Sequence, residues 1–109
     1  MSLTREQILG QSPRTTPVDL PELGGSVFVR QMTARERLQF LQRAESDRET
    51  TGAWLVATLT VDADGKPVFT PQDVEALHDR PFGTIDRIAE AVLKLNGLHR
   101  DSAEAVSGN

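Results

Sequence analysis

The sequence predicts a small α+β domain, mainly helical, with an N-terminal β-hairpin. Three observations carry that expectation. Two short alternating segments, Val18-Asp19-Leu20 and Ser26-Val27-Phe28-Val29-Arg30, flank the turn Pro21-Glu22-Leu23-Gly24-Gly25. Two later stretches place apolar residues at helical spacing behind a helix-start signal. Between them an uncharged run, residues 53–61 (Ala-Trp-Leu-Val-Ala-Thr-Leu-Thr-Val), must be buried in protein, since a bilayer span needs about 20 apolar residues.

The elements follow in chain order. Thr4 and Gln7 have capping-box spacing and open a short helix that Gly10 stops; a helix of two turns is marginal unless it docks. Residues 11–17 read as a linker, with Pro13 and Pro17 favouring extended backbone. The hairpin covers about 18–30, with Gly24 and Gly25 supplying positive φ. Val27 and Val29 face one side, Phe28 and Arg30 the other. Thr33 and Glu36 form a second capping box, and a helix over 33–48 carries Ala34, Leu38, Leu41 and Ala44 on a narrow packing face with Phe40 at its margin.

The central run fits two elements. Leu55, Leu59 and Asp62 share a helical face, which favours a helix over 53–62. Leu55, Ala57, Leu59 and Val61 also alternate as a strand would, which makes Asp64-Gly65 a hairpin tip with Val68-Phe69 as the partner strand. Thr70 then caps a helix over 71–79, with Pro71 at its first position and Asp73 at its third. A last helix over 84–95 buries Ile85, Ile88, Ala89, Val92 and Leu95, pairs Glu90 with Lys94, and ends at Asn96-Gly97 with Leu98 as the following apolar contact. Residues 1–98 read as one domain, and 99–109 as a disordered tail.

Composition excludes several classes. The chain of 109 residues has no cysteine, hence no disulfide, thiolate nucleophile or thiolate metal site. A net charge of −4 argues against unspecific binding to nucleic acid or anionic membrane. Of the twelve basic residues ten are arginine, whose planar side chains suit protein contacts. No apolar leader follows Arg5 and Glu6. Asp62-Ala63-Asp64-Gly65 is a turn and not a calcium loop, because the glycine arrives too early and Lys66 adds a cation. His78 and His99 lack a third ligand for zinc. Gly24-Gly25 opens no phosphate loop, no nucleophile setting surrounds a serine, and no basic recognition helix supports a helix-turn-helix. No catalytic, cofactor or metal residue is assigned. Trp54 reads either as core or as an interface anchor.

The ordered segments carry a resemblance. They are Leu3-Thr4-Arg5-Glu6-Gln7-Ile8-Leu9; Val18-Asp19-Leu20-Pro21-Glu22-Leu23-Gly24-Gly25 with Val27-Phe28-Val29-Arg30; Met32-Thr33-Ala34-Arg35-Glu36-Arg37; Val61 to Phe69 with Asp73-Val74-Glu75-Ala76-Leu77; and Leu95-Asn96-Gly97-Leu98. Their order resembles the tail assembly chaperones of long-tailed bacteriophages and prophages, with Leu23 where the family turn is expected to carry tryptophan. The resemblance implies a non-enzymatic protein of the host bacterial cytoplasm, absent from the mature virion. It would bind the tape-measure protein and keep it soluble until tail-tube polymerisation, with no cofactor, nucleic acid or membrane involved. It also implies a frameshifted longer form that recruits the major tail (tube) protein, and leaves self-association open. The alternative is a structural virion component, a head–tail connector or minor tail protein. For the chaperone contact Val27, Phe28, Val29, Leu38, Phe40 and Leu41 are the expected protein-binding residues, the alternative being that they belong to the core.

Overall fold

The computed structural model describes residues 1–98, so the expected disordered tail and His99 lie outside the described residues. The architecture is α+β: a three-stranded antiparallel sheet in the order β1-β2-β3 with helices around it. Helix α1 is Arg5–Leu9, strand β1 Thr15–Leu20, β2 Gly25–Arg30, α2 Ala34–Ser46, α3 Thr51–Leu59, β3 Thr60–Val61, α4 Val74–His78 and α5 Phe82–Leu95.

The hairpin is longer than the alternation alone indicates. Thr15, Thr16 and Pro17, expected in a linker, pair with Arg30, Val29 and Phe28. Pro17 is tolerated because β1 is an edge strand, where a missing amide donor costs no ladder bond. The register sets Val18 opposite Val27 and Thr16 opposite Val29, so the face of Val18, Leu20, Val27 and Val29 turns to the core while Phe28 lies on the other side. At the turn Gly24 alone has positive φ, 74°. Gly25, also expected there, is ordinary strand backbone, because the 3₁₀ turn Pro21–Leu23 needs a single left-handed residue to close it.

The central run is both of its alternatives in succession. Thr51–Leu59 is helix α3, burying Ala53, Leu55, Val56, Ala57 and Leu59. At Thr60 the backbone becomes extended, and Thr60-Val61 pair with Val29 and Phe28 of β2. The Asp62–Lys66 turn then folds the chain back, the Val68 amide donating to the Thr60 carbonyl at 3.1 Å. Gly65 supplies the positive φ there, 83°, and the Asp62 carboxylate accepts from the amides of Asp64 (2.9 Å) and Lys66 (3.0 Å). That carboxylate is spent on the turn itself.

Thr60 is fully buried and its hydroxyl finds no hydrogen-bond partner. A buried unsatisfied hydroxyl costs about 1–3 kcal/mol. Thr60→Val keeps the shape and the strand preference, and is expected to raise stability by about 1 kcal/mol in a urea melt. A loss of stability would mean that the hydroxyl is in fact hydrogen-bonded.

The expected helix over 71–79 divides into a 3₁₀ turn, Pro71–Asp73, and the short α4. The cap at its start runs chiefly from the other partner: the Asp73 carboxylate accepts from the Thr70 amide at 2.8 Å and the Thr70 hydroxyl at 3.4 Å. Helix α5 begins two residues earlier than expected, at Phe82, and buries Ile88, Ala89 and Val92. Its Glu90–Lys94 spacing does not close into an ion pair. Instead Arg87 reaches across to Glu22 of the hairpin turn at 2.7 Å, which holds the Glu22 carboxyl below its usual range. The helix ends in a Schellman motif: Leu98 donates to the Leu93 carbonyl, Gly97 to that of Lys94, and Gly97 has φ 71°. The Asn96 side chain accepts from the Met32 amide at 2.8 Å, fastening this end to the start of α2.

Candidate functional site

Helix α2 is attached to the domain by a face that matches the expected one only in part. Thr33 and Glu36 form the capping box at its start. The residues turned towards the protein are Glu36, Phe40, Arg43 and Ala44, each half-buried, and the helix buries no residue completely. Of the expected packing stripe, Ala44 and the marginal Phe40 do turn inward, whereas Ala34, Leu38 and Leu41 face solvent, with Leu38 63% and Leu41 48% exposed. Polar side chains decide this orientation. Glu36 accepts a two-pronged ion pair from Arg30, at 2.7 and 2.8 Å. Arg30 also donates to the carbonyls of Gln31 (3.0 Å) and Thr58 (3.3 Å), so one guanidinium joins β2, α2 and the end of α3. The Arg30 guanidinium holds the Glu36 carboxyl below its ordinary range. Further along, Arg43 donates to the Thr50 hydroxyl at 3.0 Å. Thr50 in turn donates to Asp47 at 2.7 Å, which lowers the Asp47 carboxyl from its ordinary value.

An apolar groove opens between the last turns of α2, the start of α3 and the α4–α5 junction. Phe40 and Ala44 form one wall, Ile85, Ala89 and Leu93 the other, and Leu55 the floor. Its volume is about 430 Å³. The rim is polar, with Arg48, Glu49, His78, Arg80 and Asp86, and His78 lies 3.6 Å from Glu49. Phe82 lies on the same rim with 75% of its surface exposed. Phe82 thereby extends the groove's apolar lining into an exposed patch, the kind of surface that protein contacts use.

The expected binding residues therefore divide. Leu38 and Leu41 are open to solvent, and Phe40 lines the groove. Val27 is half-buried against the core and Phe28 half-buried on the opposite sheet face. Val29 has no exposed surface and is a core residue, so it offers nothing to a partner in this conformation. Trp54 is half-buried and borders a shallow depression with Gln39, Gln42 and Arg43, linking α3 to α2. Phe82 was not legible as a site residue: it follows Pro81 in what reads as a turn, and its exposure arises from its place on the first turn of α5.

Among the described residues no cluster of three or more His, Asp or Glu side chains could hold a metal ion, and no helix is long and apolar enough to cross a membrane. No family model matches the chain, and no curated protein matches it in sequence. Among solved structures the chain is similar to the tail assembly chaperone of bacteriophage HK97, with a TM-score of 0.65 and 20% sequence identity. The match covers 83% of this chain and 90% of that one. The chain shares the fold of a phage tail assembly chaperone. The segment order that resembled this family in sequence is thus met by a fold of the same kind.

Proposed function

We propose that this protein acts in phage tail assembly as a chaperone that binds the tape-measure protein and keeps it soluble, without catalysis. The observation supporting this is the fold shared with the HK97 tail assembly chaperone over most of both chains. The surface agrees with the role. A non-catalytic chaperone needs exposed apolar residues that accept long amphipathic helices and release them later. The groove walled by Phe40 and Leu93, with Phe82 on its rim, and the Leu38–Leu41 face are the surfaces we assign to that contact. The place of action is the host cell during assembly. Recruitment of the tube protein through a longer product would come after this step.

The test is co-expression with the tape-measure protein of the same phage. The wild-type chain is expected to move that protein into the soluble fraction. The triple variant Leu38→Glu, Leu41→Glu, Phe82→Glu should lose most of this effect while melting at a temperature close to wild type, because all three side chains are exposed. An unchanged insoluble fraction with the wild-type chain would overturn the proposal. Recovery of the protein in purified particles would favour the alternative role, a structural part of the virion.

A further inference from the structure

The outward face of α2 carries more than its two leucines. Arg35 and Arg37 flank the Ala34, Leu38, Leu41 stripe on its two sides, and both are exposed. Neither has an ion-pair partner among the described residues, whereas Arg30, Arg43 and Arg87 each face a carboxylate. Their position is also unfavourable within the molecule. They occupy the second and fourth places of α2, after the cap Thr33, where the helix dipole disfavours cations. In a chain of net charge −4, two unpaired arginines at a helix start beside two exposed leucines form a local basic and apolar surface. Glu45, at the far end of the same face, makes the positive charge confined to its first half.

We infer that the outer face of α2 docks an acidic amphipathic helix, whose apolar stripe covers Leu38 and Leu41 and whose flanking carboxylates reach Arg35 and Arg37. This rests on the protein-binding reading above and specifies its partner: the client helix is acidic beside its apolar stripe. A carboxylate opposite each arginine supplies the pairing that the domain itself withholds, and guanidinium groups favour two-pronged carboxylate contacts. The two exposed leucines between the arginines suit the apolar stripe of a helix better than a nucleic-acid backbone.

Three probes decide it by fluorescence anisotropy with the full chain: a designed helix of about 18 residues with a leucine stripe flanked by glutamates, the same helix flanked by lysines, and a single-stranded DNA of similar length. The glutamate helix is expected to bind about tenfold tighter than the lysine helix, and the gap should close as salt is raised. Arg35→Glu with Arg37→Glu should reverse the preference. Arg35→Gln with Arg37→Gln should abolish it, and this milder pair serves if the reversed pair melts early. Equal binding of both helices, binding of neither, or DNA binding as tight as the glutamate helix would each overturn the inference. If charge preference is absent while the tape-measure protein is still kept soluble, the inference fails and the chaperone reading stands. If the glutamate helix binds but the tape-measure protein stays insoluble, the docking face stands and the chaperone reading fails.

Discussion

Replacing Leu59 with alanine is expected to lower stability by about 2–5 kcal/mol. Leu59 is the last residue of α3, has no exposed surface, and belongs to the apolar cluster that joins α3 to the sheet and α5. It stands just before the switch from helix to strand, so neighbouring backbone is fixed on both sides and cannot collapse into the space left behind. A domain of this size is stable by about 5–15 kcal/mol, so the loss is a large share of the total. In a thermal melt each kcal/mol moves the midpoint by about 4–8 °C, so a fall of about 8 °C or more is expected. Leu41→Ala is the control: the side chain is half exposed, and its removal should change stability by less than about 0.5 kcal/mol. Similar effects at the two positions would mean that α3 is not the centre of the core.

Disrupting the Arg30–Glu36 pair should be the next most damaging change. The two side chains are only 19% and 16% exposed, so neither charge can return fully to water when the other is removed. Arg30→Met leaves a shielded carboxylate and opens the links to the Gln31 and Thr58 carbonyls, at a cost of about 2–4 kcal/mol. Glu36→Gln keeps an oxygen for the Thr33 amide and removes only the charge, costing about 1.5–3 kcal/mol. The double variant should be less destabilised than the sum of the two, with a coupling of about 1–3 kcal/mol. The pH dependence has a definite sign. Because the Glu36 carboxyl is lowered in the folded state, its contribution is fully present above the ordinary glutamate value of 4.5 and is lost as pH falls through the depressed folded value. The wild-type chain should therefore lose more stability than Glu36→Gln on acidification below about 4.5. Parallel acid profiles for the two would exclude the pair as a source of stability.

Sequence and structure agree where a local rule has one outcome. The capping boxes at Thr4–Gln7 and Thr33–Glu36, the turn at Asp62–Lys66 and the Asn96-Gly97 helix end each satisfy backbone groups within a few residues, and each forms. Of the apolar stripe of α5, Ile88, Ala89 and Val92 are buried, while Ile85 and Leu95, expected to be buried with them, are half-buried. Helix α2 shows where the rule fails. Its periodicity counts Leu38 and Leu41 as the packing face, but Glu36 and Arg43 are inward because their partners, Arg30 and Thr50, come from other elements. Pairs that close only after folding leave no mark on spacing. The same holds for Val29: strand alternation places it beside Val27, and only the position of α3 and α5 decides which of the two is sealed. The groove was not legible because its walls come from α2, α3 and α5 together, and Phe82 gave no periodic signal.

The fastening of Asn96 to Met32 has a practical consequence. The backbone at Asn96 to Leu98 is held beside the beginning of α2. The N-terminal arm comes to the same place, since Ile8, Gln11 and Pro13 line a depression with Met32, Thr33 and Asn96. A label for interaction assays is therefore better placed at exposed Ala63 in the Asp62–Lys66 turn, which lies towards the other end of β2.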